Sequence, residues 1–514
     1  MHGRKCERLS ALGGFLLVVL GWVRPPCLLA DEAGRESIVA MALRNDIAGI
    51  RRLLDARPGA INEASPKGDT ALKIAIVNEY NELGSLLLAR GVDPNREDAE
   101  GLRPLHHAIR QWNLPMLRAL LSGGADVTKG DRAVRTALHY AAERGAREGC
   151  EELIRHGAKP DAADRAGQTP LRVACERRHR PIVDLFLKSG ATLSLVEAVI
   201  LDDDARVLAM LGRSPKAVGA TDEVKRLPLH WAAQYGSVRA AAILIKEGSP
   251  LDVRDASGLR PIHIALEERK PEVVKLLLKG GAKEDVFTAA GMGDTRSLDA
   301  AIRANAQIAN ARDGMGRTPV HWAAKHGSAD AMRVLLDAGA DPDAQDKAGD
   351  TALHFASERN RIDIVELLLA RGADADIQNN QKETPQHWAV HGEDASACLA
   401  LLGHKARVNA KGVQGRTALH WAVLFGNGKA LDALLVNGGD PNVQDDRGWT
   451  SLHAAVSKGN VEYVKLLLRH GADPSIRDKS GLTPGQMARV YLKPRLVPDP
   501  EGKEPDERAI DFGP

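Results

Sequence analysis

The chain has 514 residues and sets 70 Lys and Arg against 68 Asp and Glu, so no excess of charge draws it to nucleic acid or to an acidic membrane surface. Aromatic residues make up only 4%, which suits layers of helices packed through Ala and Leu better than the core of a conventional enzyme.

The first thirty residues stand apart. Arg4, Lys5 and Arg8 make a basic start, Leu9 to Val23 is uncharged and mostly apolar, Arg24-Pro25-Pro26 breaks the run, and Ala30 precedes Asp31-Glu32. Basic, then apolar, then small is the order of a secretory signal peptide, here 1–30, with cleavage expected after Ala30. The chain is then secreted or periplasmic; an uncleaved N-terminal membrane anchor is the rival reading. Cleavage leaves 66 basic and 67 acidic residues and three cysteines, Cys150, Cys175 and Cys398. Three is too few for a disulfide framework in a chain this long, and each falls at a helix core position.

From about residue 36 to 492 one unit recurs, clearest at Gly316–Ala348, GRTPVHWAAKHGSADAMRVLLDAGADPDAQDKA. Thr318 can cap a helix with its hydroxyl, and Pro319 suits the first helical position. Val320, Ala323 and Ala324 give a short helix with a small-residue face. Gly327 can end it in a left-handed conformation, and Ser328 can start the next. Met332, Val334, Leu335 and Leu336 supply the core face of a second helix, which stops at Gly339. Asp346 and Gly349 mark a tight turn. Neither helix is long enough to persist alone, so the unit must stack.

Units open at 70, 103, 136 and 169, then at 227 and 260, then at 318, 351, 384, 417, 450 and 483. The two wide gaps each hide a shortened unit, Leu193–Asp222 and Glu284–Asp313, with about nine residues missing and no projecting turn at 191–193 and 282–284. Glu36–Ala64 reads the same way, as a starting unit. The pattern therefore divides into blocks 31–192, 193–283 and 284–492, followed by a charged, proline-rich tail, 493–514, expected to be disordered.

The motif TPVHWAA at 318, with TALHFAS at 351, TALHWAV at 417, TSLHAAV at 450, TALHYAA at 136 and LPLHWAA at 227, resembles the ankyrin repeat. The resemblance implies an all-α solenoid of about 15 stacked helix-turn-helix units with projecting β-turn fingers. It also implies that His106, His139, His230, His263, His321, His354, His387, His420 and His453 brace neighbouring units, not that they bind metal. Arg172, Lys73 and Gln486 stand in the same position. The aspartates Asp126, Asp341, Asp374 and Asp473 recur with the repeat. No catalytic or phosphate-binding motif appears, and no catalytic residue, metal or cofactor is expected. Trp231, Trp322, Trp388 and Trp421, with Tyr140 and Phe355, are expected to pack between first helices.

What the repeat leaves variable is the end of each first helix and the residue before each opening threonine. In this family those positions line a concave face. Here they are Gln234, Tyr235, Lys325, His326, Glu358, Arg359, Leu424, Phe425, Ser457 and Lys458, with the turn residues Arg317, Arg416 and Trp449. Mixed charge with a few aromatics suits a protein-binding surface, and Phe425 with Trp449 is expected to come together as a hot spot. The function expected is a non-enzymatic, exported scaffold that binds a protein partner, with no nucleic acid and no membrane beyond an uncleaved anchor. The alternatives are an accessory subunit of an extracytoplasmic enzyme, an enzyme with an unrecognised site near a block junction, or a structural spacer.

Overall fold

The fold is taken from a computed structural model, which describes residues 37–65 and 68–491. The signal-peptide and tail expectations, 1–30 and 493–514, lie outside the described residues. Among the described residues there are 29 α-helices, four short 3-10 helices and no named strand. The helices come in antiparallel pairs, a first helix of five to eight residues and a second of eight to ten, and a single helix, Pro484–Tyr491, ends the series. The described residues form two compact units, one of 37–251 with 272–280 and the other of 252–271 with 281–491.

Local chemistry sets each pair. In the unit opening at 318, Thr318 is the N-cap of Pro319–His326, and Gly327 closes that helix at φ 85°. Ser328 caps Ala329–Asp337 by accepting the N–H of Ala331 at 3.2 Å. Ala323, Ala324, Met332 and Leu335 are fully buried, whereas Val334 and Leu336 are only half-buried. A 3.6-residue period admits Met332 and Leu335 to the inner stripe and turns the other two toward the rim. The left-handed closing position is not always glycine. Asn45, Glu79, Trp112, Arg178, Asp202, Arg269 and Asn360 occupy it in other units at φ 52–59°. A non-glycine residue there costs roughly 1–2 kcal/mol, which packing of the helix pair must offset.

Fourteen residues link a second helix to the next first helix in most of the chain, as from Asp337 to Ala352. Six residues do so between Lys188 and Leu195 and between Lys279 and Val286, so eight residues of turn are missing, close to the nine expected. The starting-type units share a feature that their sequences did not disclose. Their second helices, Ile47–Ala56, Asp204–Arg213 and Thr295–Ala304, have ten residues each, and a 3-10 helix follows, at Pro58–Asn62, Pro215–Gly219 and Ala306–Asn310.

Candidate functional site

The repeated histidines lie buried at the start of the first helices. The Nδ1 of His321 accepts the N–H of Thr318 at 3.0 Å and its hydroxyl at 2.9 Å, while Nε2–H donates to the carbonyl of Asp350 at 3.0 Å. His354, His387, His420 and His453 repeat the arrangement with the carbonyls of Glu383, Arg416, Trp449 and Leu482. His139 does so with Gln168, and His106 donates to the Arg135 carbonyl while Nδ1 accepts the N–H of Arg103, which has no hydroxyl to add. The threonine hydroxyl is thus spent on the histidine. Where Lys73 or Arg172 replaces the histidine, the hydroxyl of Thr70 or Thr169 instead takes the free helix N–H, at 3.1 Å in both. Arg172 sits in the unit before a shortened link, where a histidine would find no finger to reach; it pairs with Glu176 at 3.0 Å and covers the Trp231 ring at 4.3 Å. Before the other short link, His263 turns Nε2 to the carboxylate of Asp285 at 3.0 Å.

A second device recurs beside the histidines. A turn aspartate clamps its own finger, an arginine four residues later stacks on an aromatic ring nine residues later, and the ring donates to that aspartate. Asp313 Oδ1 accepts the N–H of Met315 at 2.8 Å and of Arg317 at 2.9 Å. Its Oδ2 takes Arg317 Nε at 2.9 Å and Trp322 Nε1 at 3.0 Å. Arg317 lies 4.5 Å over Trp322, and His326 stacks on the same ring at 5.6 Å, nearly parallel. The Asp222, Arg226, Trp231, Tyr235 set and the Asp131, Arg135, Tyr140 set are built alike. Sequence reasoning missed this device, although its spacing of four and nine residues was legible.

In the unit of 252–271 and 281–491, buried charge is collected around the shortened repeat Glu284–Asp313. Glu267 holds both Arg317, at 2.5 Å, and Lys325. Burial alone would raise the Glu267 carboxyl, but Lys325 and Arg317 outweigh it and hold the pKa at about 2. Arg260, 4% exposed, pairs with Asp252 at 2.8 Å and Asp285 at 2.6 Å. Burial pushes His326 down to about 4.

The variable positions divide by exposure. Gln234 is buried and accepts from Arg226 at 2.8 Å; Tyr235 is half-buried and stacks on Trp231. Arg317 and Arg416 were expected in open turns, yet both are buried, each with its guanidinium over a tryptophan ring. Lys325 and His326 are half-buried against Glu267 and Trp322. Glu358 is half-buried and Arg359 exposed, 3.7 Å apart. Leu424 is half-buried; Phe425 is half-buried between His391 at 4.6 Å and Trp421 at 5.3 Å. Trp449 donates Nε1–H to Asp478 at 3.2 Å and carries Arg447 at 4.9 Å. Ser457 donates to the Ala454 carbonyl at 2.9 Å, and Lys458 is exposed. Phe425 and Trp449 have separate ring neighbours and make no ring contact with each other. Trp322 and Trp388 are buried and Trp231 and Trp421 half-buried, as their packing role requires.

Residues 38–131, 130–197, 195–288, 286–379, 370–445 and 425–491 each match the family model for ankyrin repeats in three copies. The chain belongs to the ankyrin-repeat family. It is also similar to the palmitoyltransferase AKR1 of Lachancea kluyveri, 27% identical over 132 residues, which cover 23% of this chain and 18% of that protein. The match therefore spans less than a fifth of the relative's length. Among the described residues no group of three or more His, Cys, Asp or Glu is placed to hold a metal ion, and no helix is long and apolar enough to cross a membrane. Cys150, Cys175 and Cys398 sit fully buried in the ankyrin core, and burial raises all three thiols, Cys150 and Cys398 to about 12.

Proposed function

We propose that this ankyrin chain is a non-catalytic binding protein, exported through its N-terminal segment, that holds a protein partner on the face formed by first-helix ends and fingers. The observation that supports this reading best is the row of rings in the unit containing 281–491. Buried Trp322, Phe355 and Trp388 and half-buried Trp421 follow one another at 33-residue spacing, and half-buried His326, exposed His391 and half-buried Phe425 lie against them. Aspartates, glutamates and stacked guanidiniums fix these rings in place. The buried rings form a fixed backing for His326, His391 and Phe425, and groups fixed beforehand lose little freedom on binding, while aromatics are among the residues that protein interfaces enrich. Arg359 and Lys458 stand exposed beside the row, where a partner would meet them.

The test is affinity capture from the extracytoplasmic fraction with the mature chain, repeated with Arg359→Glu and Lys458→Glu together. Both residues are exposed, so the fold should survive. A partner held by the wild type and lost by the double variant supports the reading; equal recovery by both removes this face from consideration. N-terminal sequencing of the exported protein tests the leader, and a cytosolic chain still starting at Met1 would refute it.

The likeness to a palmitoyltransferase raises an acyl-transfer reading. A thiol nucleophile needs exposure and a lowered pKa, and the three described cysteines have neither. We therefore prefer the binding reading.

A further inference from the structure

One finger departs from the aspartate device. Where Asp131, Asp222 and Asp313 stand four residues before an arginine and nine before a ring, the finger of the unit opening at 417 has Gly412. The arginine and the ring remain, as Arg416 and Trp421, with the guanidinium 5.0 Å over the indole. Their carboxylate is gone. Trp421 Nε1 is buried and has no hydrogen-bond acceptor. Arg416 Nε reaches only Asp445 of the following finger, at 3.5 Å, where Arg317 has two carboxylates at 2.9 Å or less. Trp388, whose turn residue is Asn379, escapes the same fate by donating to Glu383 at 3.0 Å.

The backbone of this finger is altered too. In the aspartate fingers one carboxylate oxygen clamps two N–H groups, as Asp313 clamps Met315 and Arg317. Here a 3-10 turn, Val413–Gly415, takes its place, with Gln414 at φ 58° and the N–H of Arg416 on the Val413 carbonyl at 3.3 Å. Lys411 and Gln414 are exposed, and glycines at 412 and 415 leave the tip free to yield. Burial, then the nearby Arg447, lowers the pKa of Arg416 even with Asp445 present, as expected of a guanidinium short of negative charge.

Resting on the reading that this face binds a protein, we propose that the finger 412–416 receives one Asp or Glu side chain of the partner. The incoming carboxylate takes the place that Asp313 holds in its sister finger, accepts Nε1–H of Trp421 and pairs with Arg416. Half-buried Leu424 and Phe425 continue from the same helix as an apolar border. Asp and Glu are favoured over a neutral amide because the donors are a guanidinium and an N–H, and a charge-assisted pair is the stronger one.

The experiment uses the full mature chain with its tryptophans labelled with 15N. The indole resonances are followed while N-acetyl-aspartate N-methylamide is added, with the asparagine analogue as control; Trp421→Phe assigns the resonance. The expected result is a saturable downfield movement of the Trp421 signal with the aspartate probe alone. It should vanish in Gly412→Asp, which supplies the carboxylate within the chain. A Cβ there would stand 3.0 Å from His387 Nε2, so a small shift of that ring is needed. Should Gly412→Asp not fold, Trp421→Phe, which keeps a ring and removes the donor, must weaken a captured partner by about tenfold or more. No movement of the Trp421 signal, or equal movement with the asparagine analogue, overturns the proposal. A partner lost by the Arg359 and Lys458 charge reversal but held equally by wild type and Trp421→Phe leaves the face standing and sinks the carboxylate receptor. A partner indifferent to the charge reversal sinks the face itself.

Discussion

The Nε2–H of His321 donates to the backbone carbonyl of Asp350 at 3.0 Å, so the first helix of one repeat is tied to the finger of the next. The same ring accepts the N–H and hydroxyl of Thr318 on Nδ1. One neutral imidazole therefore serves two repeats, and its tautomer is set by what each nitrogen faces. This explains why the position is filled by Arg172 or turned to Asp285 beside the two short links. A solenoid holds together through such nearest-neighbour terms.

Replacing His321 by Ala leaves the buried N–H of Thr318 and the carbonyl of Asp350 without their partner. We expect a loss of about 2–4 kcal/mol in denaturant unfolding of the cooperative segment that contains it. Arg172→Ala, which removes an ion pair at a half-buried site, should cost under about 1.5 kcal/mol. Equal losses at the two positions would show that the histidine does not bridge repeats.

The histidines also give a pH dependence. Burial depresses His106, His321 and His387 from 6.5 to about 4 in the folded chain. Their stabilising contribution is complete above pH 6.5, where folded and unfolded chains are both neutral. Below 6.5 the unfolded chain takes up protons that the folded chain refuses, and stability falls until about pH 4. Glu267 adds a lower window, from 4.5 to about 2, as its ion pairs with Lys325 and Arg317 are lost. Melting temperature measured from pH 7 to pH 4 should fall most steeply between 6 and 4. A flat profile above pH 4.5 would contradict the buried, neutral assignment.

The repeat, its period and its punctuation were legible because each residue type answers a local demand. Threonine precedes the helix, glycine takes the left-handed turn, and aspartate with glycine makes the finger. The two short links could be read from the spacing of the opening threonines. The site was less legible. Arg317 and Arg416 look like exposed turn residues in one dimension, because nothing local says that a guanidinium will lie on a ring five residues further on. Gln234 reads as variable and is buried, since its partner Arg226 lies eight residues back in the turn. The Glu267 network joins residues 50 and 58 positions apart across a shortened unit, and no repeat-based pattern carries that pairing.

Glu267 is the most consequential single carboxylate in that network. Glu267→Ala leaves Arg317 with Asp313 alone and takes the carboxylate from Lys325 in a half-buried site. Breaking a buried pair from one side typically costs about 3–5 kcal/mol. The exposed pair Glu272–Lys275 should cost under about 1 kcal/mol when Glu272 is removed. Denaturation midpoints of the two variants measure the difference. A Glu267 variant as mild as the Glu272 variant would mean that water reaches the network.

Phe425 and Trp449 invite the last prediction, because each ring has structural employment of its own. Phe425 packs on Trp421 and His391, and Trp449 on Arg447, His453 and Asp478. Truncating either to Ala should lower the melting temperature, by roughly 1–3 kcal/mol in stability, from lost burial and, for Trp449, a lost hydrogen bond to a carboxylate. Since the two share no ring contact, the double variant should lose the sum of the single losses to within about 0.5 kcal/mol. Non-additivity well beyond that would show the two rings acting as one patch. Partner binding must then be compared in Phe425→Leu and Trp449→Phe, which keep most of the packing. Loss of binding there with the melting temperature nearly unchanged assigns the rings to the partner, and unchanged binding leaves them to the repeat.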